Sequence, residues 1–369
     1  MADEIQVHAI TMGDPAGIGP EVIIRSLADV RFPNNVRPLL IGAAPILQRA
    51  IELTGVDLRI QQVPAGAASG SLLREFVCGS ARDGIVQLLD PCDAAVSETP
   101  LSRASAVAGE AAFRCLESAI QLTQEGTADA IVTAPLNKEA LHLAGHHYPG
   151  HTEILAERCG VSQFGMMLHL AEDTLSTIRG ALQPPGGNAR PAASGISIVH
   201  VTLHTSIASV PGLLTRTAVA DSIRLMRRFL DSVGHAAGRI GVCSLNPHGG
   251  ENGLFGDEEQ HVITPAVQEC QEMCLADGPF PVDTLIRRAV LGEFTGVVAM
   301  YHDQGHIPIK LIGFDSAVNI TLGLPLIRTS PTHGTAFDRA WSRGAGADHR
   351  GMLEAIRMAA QLVAGKRGG

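Results

Sequence analysis

Between residues 298 and 314 the chain reads VAMYHDQGHIPIKLIGF. An apolar run ends in Tyr301, His302, Asp303, Gln304 and His306, with Lys310 close behind. Polar groups at that density on what reads as a loop suit either one wall of a reaction site or a well-satisfied turn. His248 follows another apolar run, in VCSLNPHGG, and His204 lies in SIVHVTLHTS. If the latter is a strand, alternation puts His200, Thr202 and His204 on one face, with His204 at the far end. Ligands of open α/β sheets bind beyond the carboxyl ends of the strands. His204, His248 and His302 so placed are a candidate set for zinc, cobalt, manganese or nickel, with coordination positions left for a substrate. Asp303 could orient a neighbouring imidazole. A hydrogen-bonded loop or core histidine accounts better for any one of them taken singly, and only the three together at strand ends make the metal reading as good.

Other breaks after apolar runs are also polar. AIVTAP is followed by Asn137 and Lys138, and HAIT by Gly13, Asp14, Gly17 and Gly19 in MGDPAGIGPE. The glycines suggest close approach of backbone to a ligand, with the next helix N-terminus able to favour an anion. The loop is neither a Walker loop nor a GxGxxG fingerprint, and a structural strand-to-helix turn explains it almost as well. Arg328 suits a bidentate phosphate or carboxylate contact, and Lys310 offers a point charge. In YPGHTEILAERCG, Thr152 is either the N-cap of the helix that follows or, with His151, a contact for an anionic substrate.

These residues need a scaffold that brings strand ends together. Apolar runs, Gly/Pro/Asn-rich breaks and helix-like stretches alternate along the chain, which argues for an α/β fold around a largely parallel sheet. At 369 residues, two lobes are expected. Aromatics make up 4% of the chain, so the core must be mainly aliphatic. The formal net charge of -9 argues against a nucleic-acid backbone binder. No apolar run is long enough for a membrane span, and no signal peptide is legible, so a cytoplasmic protein is expected. The seven cysteines are scattered without a CxxC pair and read as reduced thiols; Cys270 and Cys274, four apart, are weak evidence for a metal site. Residues 180 to 195, GALQPPGGNARPAASG, break the rhythm and read as an exposed insertion.

Taken together, ITMGDPAGIGPE, PGHTE, LNPHGGENGLFGDEE, MYHDQGHIPIKLIGF and VNITLGLPLIRTSPTHGTAFD resemble the NAD-dependent 4-hydroxythreonine-4-phosphate dehydrogenase family, from about residue 7 to 360. The resemblance implies an isocitrate/isopropylmalate dehydrogenase-like α/β fold, with two lobes around a mixed, largely parallel sheet and an active site in the cleft between them. The lobes are expected at 1–130 with 318–369, the NAD side, and at 131–317, the metal and dimer side. His204, His248 and His302 match the family's metal histidines, with Zn, Co, Mn, Ni or Mg as the divalent metal. His151, Thr152, Lys310, Asn319 and Arg328 match its substrate contacts. The glycine loop, with Gly13, Asp14 and Gly17, and the segment THGTAFD, with His333, Gly334, Thr335 and Asp338, are expected on the NAD side. A homodimer is implied whose active site is shared, His302 coming from the partner of the chain that supplies His204 and His248.

The expected reaction oxidises the 3-hydroxyl of a 4-phosphorylated C4 acid with NAD and then releases CO2, with Lys138 or Asp303 relaying protons. Asn137 before Lys138 departs from the histidine-lysine pairing of the pyridoxine-pathway members. It makes the chain more similar to paralogues acting on 4-phospho-D-threonate or 4-phospho-D-erythronate. Two other readings use the same histidines: a dehydrogenase of a cyclic diol carboxylate, and a metal-dependent hydrolase or lyase without NAD. A non-catalytic binding protein would be expected to lack one of the three histidines.

Overall fold

A computed structural model describes residues 4–64, 70–79, 84–182, 195–342 and 346–368. In chain order the first elements are β1 (Gln6–Thr11), α1 (Gly19–Leu27), β2 (Val36–Ile41), α2 (Ala44–Thr54), β3 (Arg59–Gln62) and α3 (Gly70–Gly79). Then come β4 (Ile85–Leu89), α4 (Ala106–Gln124), β5 (Ala130–Thr133), α5 (Lys138–Leu143) and α6 (His151–Arg158). There follow β6 (Gly165–Leu170), α7 (Glu172–Leu182), β7 (Ile196–His200), α8 (Val210–Leu213), α9 (Arg216–Ser232) and β8 (Ile240–Cys243). The series continues with α10 (Thr264–Cys274), β9 (Ala276–Phe280), α11 (Val282–Val290), β10 (Gly296–Ala299) and α12 (His302–Gly313). It ends with β11 (Val318–Leu322), β12 (Arg328–Pro331) and α13 (Arg350–Gly368). Among the described residues no helix is long and apolar enough to cross a membrane.

The chain divides into two compact units, Met1–Ser162 with Leu324–Ala364, and Gln163–Gly323 with Gly365–Gly369. These bounds differ from the lobes read in the sequence, because residues 131–162 belong with the first unit. There β5 pairs with β1 and β12. α5 is pressed onto α4 where Gly109 meets Ala140, and a Cβ at Gly109 would collide with the Ala140 carbonyl. β11 stays with the second unit because it pairs with β6.

In the first unit the strand order is β3-β4-β2-β1-β5-β12, all parallel. β1 (QVHAIT) is buried along its whole length, as expected of a central parallel strand covered on both faces. Thr11 and Thr133 are register partners, so β1 and β5 end side by side. In the second unit the order is β11-β6-β7-β10-β8-β9, with β6 antiparallel to both neighbours and the other pairings parallel. Its core is mostly aliphatic: Leu168, Ile198, Leu285, Val297 and Ile309 pack with Phe294. α/β architecture with a mixed, mostly parallel arrangement is therefore what the chain adopts.

Three local readings change. β7 ends at His200, and residues 201–206 form bends, so His204 is not on the strand. β7 is buried on both faces, and its pairing with β10 stops where His200 meets Ala299. The polar group after residue 300 is the first turn of α12 rather than a loop, with Tyr301 as its N-cap. Helix α6 starts at His151 behind Gly150, so Thr152 lies in its first turn and is not the cap. Of the 180 to 195 insertion, residues 183–194 lie outside the described residues.

Candidate active site

In the first unit a cationic set forms at the ends of β5 and β12 and the start of α6. Arg328, the first residue of β12, is 2% exposed. Its guanidinium donates to Thr133 Oγ1 at the end of β5 over 2.7 Å. Burial pushes its pKa down to about 10 while Glu153 pulls it back up, so it stays charged near neutrality. Burial, and then the charge of Arg328, hold the His151 imidazole well below its usual range, so that it is neutral. Thr152 follows it on α6. Lys138 opens α5, where Asn137 Oδ1 caps the helix by accepting from the Ala140 N–H over 2.9 Å. A Cβ at Gly150 would stand 4.0 Å from Lys138 Cε, which places the lysine stem beside the entrance to α6. One fixed cation, one neutral imidazole, a hydroxyl and an ammonium suit a phosphate or carboxylate.

The glycine loop makes the structural contacts that were one of the two readings of the sequence. Gly13 lies against Pro135, and a Cβ at Gly17 would stand 2.9 Å from Thr335. The backbone bonds run the same way: the Asp14 N–H donates to Pro135 O, and the Ile18 N–H to Thr335 O. The glycines thus serve backbone-to-backbone packing that ties residues 13–18 to Thr335. Asp14 is fully buried, and Oδ1 accepts from the Ala16 N–H over 2.8 Å. Its Oδ2 has no hydrogen-bond partner among the described residues, and burial raises its pKa to about 6. Next to Thr335, Gly334 is exposed, and a Cβ there would meet nothing within 4 Å. His333 Nδ1 bonds the Gly334 carbonyl, and exposed Asp338 pairs with Arg339. Sequence reasoning missed Glu21 and Trp341, which anchor this region. The Trp341 indole donates to Pro15 O over 3.2 Å, and its backbone N–H donates to buried Glu21.

In the second unit the structure brings His204 and His302 together, with ring centroids 5.9 Å apart. His248 lies beside Phe255 and Glu251. β10 lies between β7 and β8, so the start of α12 stands between the loop after β7, which carries His204, and the loop after β8, which carries His248. Residues 248 to 252 of that loop all have left-handed backbone, His248 at φ 54°. Left-handed backbone is costly at its non-glycine members His248, Glu251 and Asn252. Glu259 anchors the start of the loop, its carboxylate accepting from the Leu245 and Asn246 N–H groups and from Asn246 Nδ2. It was legible only as one acid among three in GDEE.

Among the described residues no three His, Cys, Asp or Glu side chains of one chain form a set that could hold a metal ion. Two of the three candidate histidines have a carboxylate on Nδ1. Asp303 Oδ1 sits 2.7 Å from His302 Nδ1, and Glu251 Oε1 sits 3.1 Å from His248 Nδ1. A carboxylate on Nδ1 fixes the tautomer and leaves Nε2 as the nitrogen for a cation. Gln304 fixes the start of α12 by accepting from the Met300 N–H and donating to Ser244 O, both over 2.8 Å. Lys310 lies further along α12. Asn319, on β11, has a buried Oδ1 with no hydrogen-bond partner among the described residues.

Comparison with known proteins places the chain in a family. Residues 34–359 match the family described as pyridoxal phosphate biosynthetic protein PdxA. The chain is 44% identical to a D-threonate 4-phosphate dehydrogenase of Cupriavidus necator, across 98% of this chain and 99% of that one. It is 40% identical to a 4-hydroxythreonine-4-phosphate dehydrogenase of Geobacter metallireducens, across 98% and 97%. A crystal structure of 4-hydroxythreonine-4-phosphate dehydrogenase from Klebsiella pneumoniae is similar at a TM-score of 0.79 and 37% identity, covering 97% of this chain and 99% of that one. With a family match over most of its length and relatives of this identity, the chain belongs to the PdxA family.

Proposed function

We propose that the chain is an NAD-dependent, divalent-metal-dependent dehydrogenase of a 4-phosphorylated 3-hydroxy C4 acid. Hydride passes from the C3–H bond to NAD and the C3 hydroxyl gives its proton to the protein, leaving a 3-oxo acid and NADH. The C1–C2 bond then breaks, its electron pair passing into the 3-oxo group as an enolate while CO2 leaves, and protonation at C2 gives a three-carbon ketone phosphate. The observation that carries this reading is buried, charged Arg328 beside neutral His151, an anion site in a chain whose full-length relatives are named as dehydrogenases of phosphorylated C4 acids. Arg328 and Lys310 would supply positive charge to the anionic ends of the substrate, and His151 and Thr152 would add hydrogen bonds without adding charge. Asn319 Oδ1 receives a substrate hydroxyl. Lys138 or Asp303 takes the proton.

His204, His248 and His302 would hold the metal, which supplies Lewis-acid stabilisation of negative charge on substrate oxygens when bound. His204 and His248 would come from one subunit and His302 from its partner. The surface beside His248 supports this. An open depression of about 680 Å³ is lined by Leu245, Pro247, His248, Ile286, Tyr301 and Ile307. α12 and its C-cap also expose Ile307, Leu311 and Phe314, an apolar stripe suited to a self-complementary interface. NAD would lie against residues 333–338, with the Gly13–Asp14–Gly17 loop as their support. A sugar acid is the substrate we favour over an amino acid, on the strength of Asn137 before Lys138 and the 44% relative.

The test is His248→Ala with bound metal and NADH production both measured. Loss of metal and of activity supports the reading; full activity in metal-free protein overturns it. Thermal stabilisation by NAD separates it from a hydrolase that does not bind the dinucleotide.

A further inference from the structure

Behind His302 stand two more histidines to which the reaction above gives no task. His306 lies one helical turn after His302 on α12, and its ring is stacked on that of His302, centroids 3.7 Å apart and planes 11° from parallel. His306 Nδ1 is 3.2 Å from His200 Nε2 and 3.3 Å from the His302 carbonyl. His200 Nδ1 in turn is 3.3 Å from the Met166 carbonyl. Both imidazoles are buried, at 3% exposure for His200 and 6% for His306.

The protons of this chain follow from its ends. A carbonyl oxygen only accepts, so His200 Nδ1 carries a proton and donates to Met166. His306 Nδ1 faces a carbonyl as well, so it also carries a proton, and His200 Nε2 must then accept from it. Each ring has one tautomer open to it. The fit is tight: a Cβ at Gly305 would collide with His200 Nε2. Glycine at 305 is what lets the His200 ring reach α12.

We infer that His200 and His306 are a positioning pair that sets the ring plane of His302 for metal binding. Asp303 holds His302 by its edge at Nδ1, and the flat face of His306 holds it from behind. His306 cannot rotate away without abandoning His200 and the His302 carbonyl. Supporting groups of this kind orient a ligand before the cation arrives, and their loss typically weakens metal binding by about 10–100-fold.

The inference rests on His302 being a metal ligand, and the experiment separates the two. Metal-free enzyme is titrated with Co²⁺ and followed by its visible absorption, for the wild type and for His302→Ala, His306→Ala, His306→Phe and Gly305→Ala. Co²⁺ binding by the wild type that is lost in His302→Ala supports the ligand reading; equal binding by both overturns that reading and the inference with it. Given the ligand reading, His306→Ala is expected to weaken Co²⁺ binding by about 10–100-fold. His306→Phe, which keeps a flat ring against His302, is expected to weaken it less. Co²⁺ affinity within twofold of the wild type in folded His306→Ala overturns the inference alone, as does equal loss in the Phe and Ala variants. If the alanine variant does not fold, ¹⁵N-histidine NMR of the metal-free wild type decides. Nδ1–H tautomers at both His200 and His306 are expected, and an Nε2–H tautomer at either overturns the pairing.

Discussion

Burial, with the charge of Arg328 added to it, holds His151 neutral. The guanidinium is buried and anchored on Thr133, and its charge adds to the burial that keeps the imidazole from taking a proton. The site thus offers one permanent positive charge and one neutral ring. Replacing Arg328 by Lys keeps the charge but loses the planar fork. We expect KM for the phosphorylated substrate to rise about 10–100-fold, the equivalent of one or two charge-assisted hydrogen bonds, with a smaller change in kcat. Steady-state kinetics decides, and an unchanged KM would place Arg328 outside the substrate site.

Acid should unfold the protein through its neutral histidines. His169 is buried, bonded to Ser197 Oγ, and held by burial at a pKa of about 4. Its unfolded value is about 6.5. In that window the unfolded chain binds more protons than the folded one, so stability rises with pH. The contribution is fully present above pH 6.5 and is lost as pH falls towards 4, on the order of 3 kcal/mol at most. His151 acts in the same direction. Asp14 acts oppositely: with its pKa raised to about 6, it favours the folded state at low pH, and that help disappears as pH rises through 6. We expect His169→Gln to flatten the dependence of Tm on pH between 6.5 and 4, and Asp14→Asn to steepen it. Calorimetry across that range checks both signs.

What was legible in the sequence followed from burial. β1, β5 and β10 are covered on both faces and must be apolar runs, so the strand ends, and with them Asp14, Asn137 and His302, were placed correctly. Strand β7 is covered the same way, and alternation therefore carried no information about its faces. Its end is fixed by pairing with β10, which no local pattern records, and His204 was consequently put on the strand. His302 and His306 are four apart, the spacing that stacks side chains on a helix; reading the segment as a loop concealed it. Gly17 looked like a ligand cradle because sequence cannot distinguish a ligand from Thr335 as the thing glycine makes room for.

That distinction can be tested with two alanines. At Gly17 an added Cβ would stand 2.9 Å from the Thr335 Cβ and carbonyl oxygen. We expect Gly17→Ala to cost about 1–3 kcal/mol in stability, as overpacking generally does. At Gly334 the added methyl meets open space. We expect Gly334→Ala to leave Tm nearly unchanged and to raise KM for NAD. Urea unfolding with NAD kinetics reads both, and a strongly destabilised Gly334→Ala would contradict the assignment.

Sharing of the metal site can be read by complementation. His248→Ala and His302→Ala homodimers should each be inactive. Co-expressed in equal amounts, they should recover about a quarter of wild-type activity, since half the dimers would carry one intact site of two. Leu311→Glu, in the exposed apolar stripe of α12, should shift the protein towards monomer in light scattering and lower activity with it. Inactive co-expressed chains would mean that each subunit builds its own site.

The central claim is the reaction itself. The most direct measurement is NADH formation and CO2 release with NAD, a divalent metal and a panel of C4 acids: 4-phospho-D-threonate, 4-phospho-D-erythronate, 4-phosphooxy-L-threonine and their unphosphorylated forms. Our account predicts NADH and CO2 in equal amounts from a phosphorylated sugar acid, none from the unphosphorylated acids, and none after metal removal. Equal turnover of the unphosphorylated acids, or NADH without CO2, would contradict it.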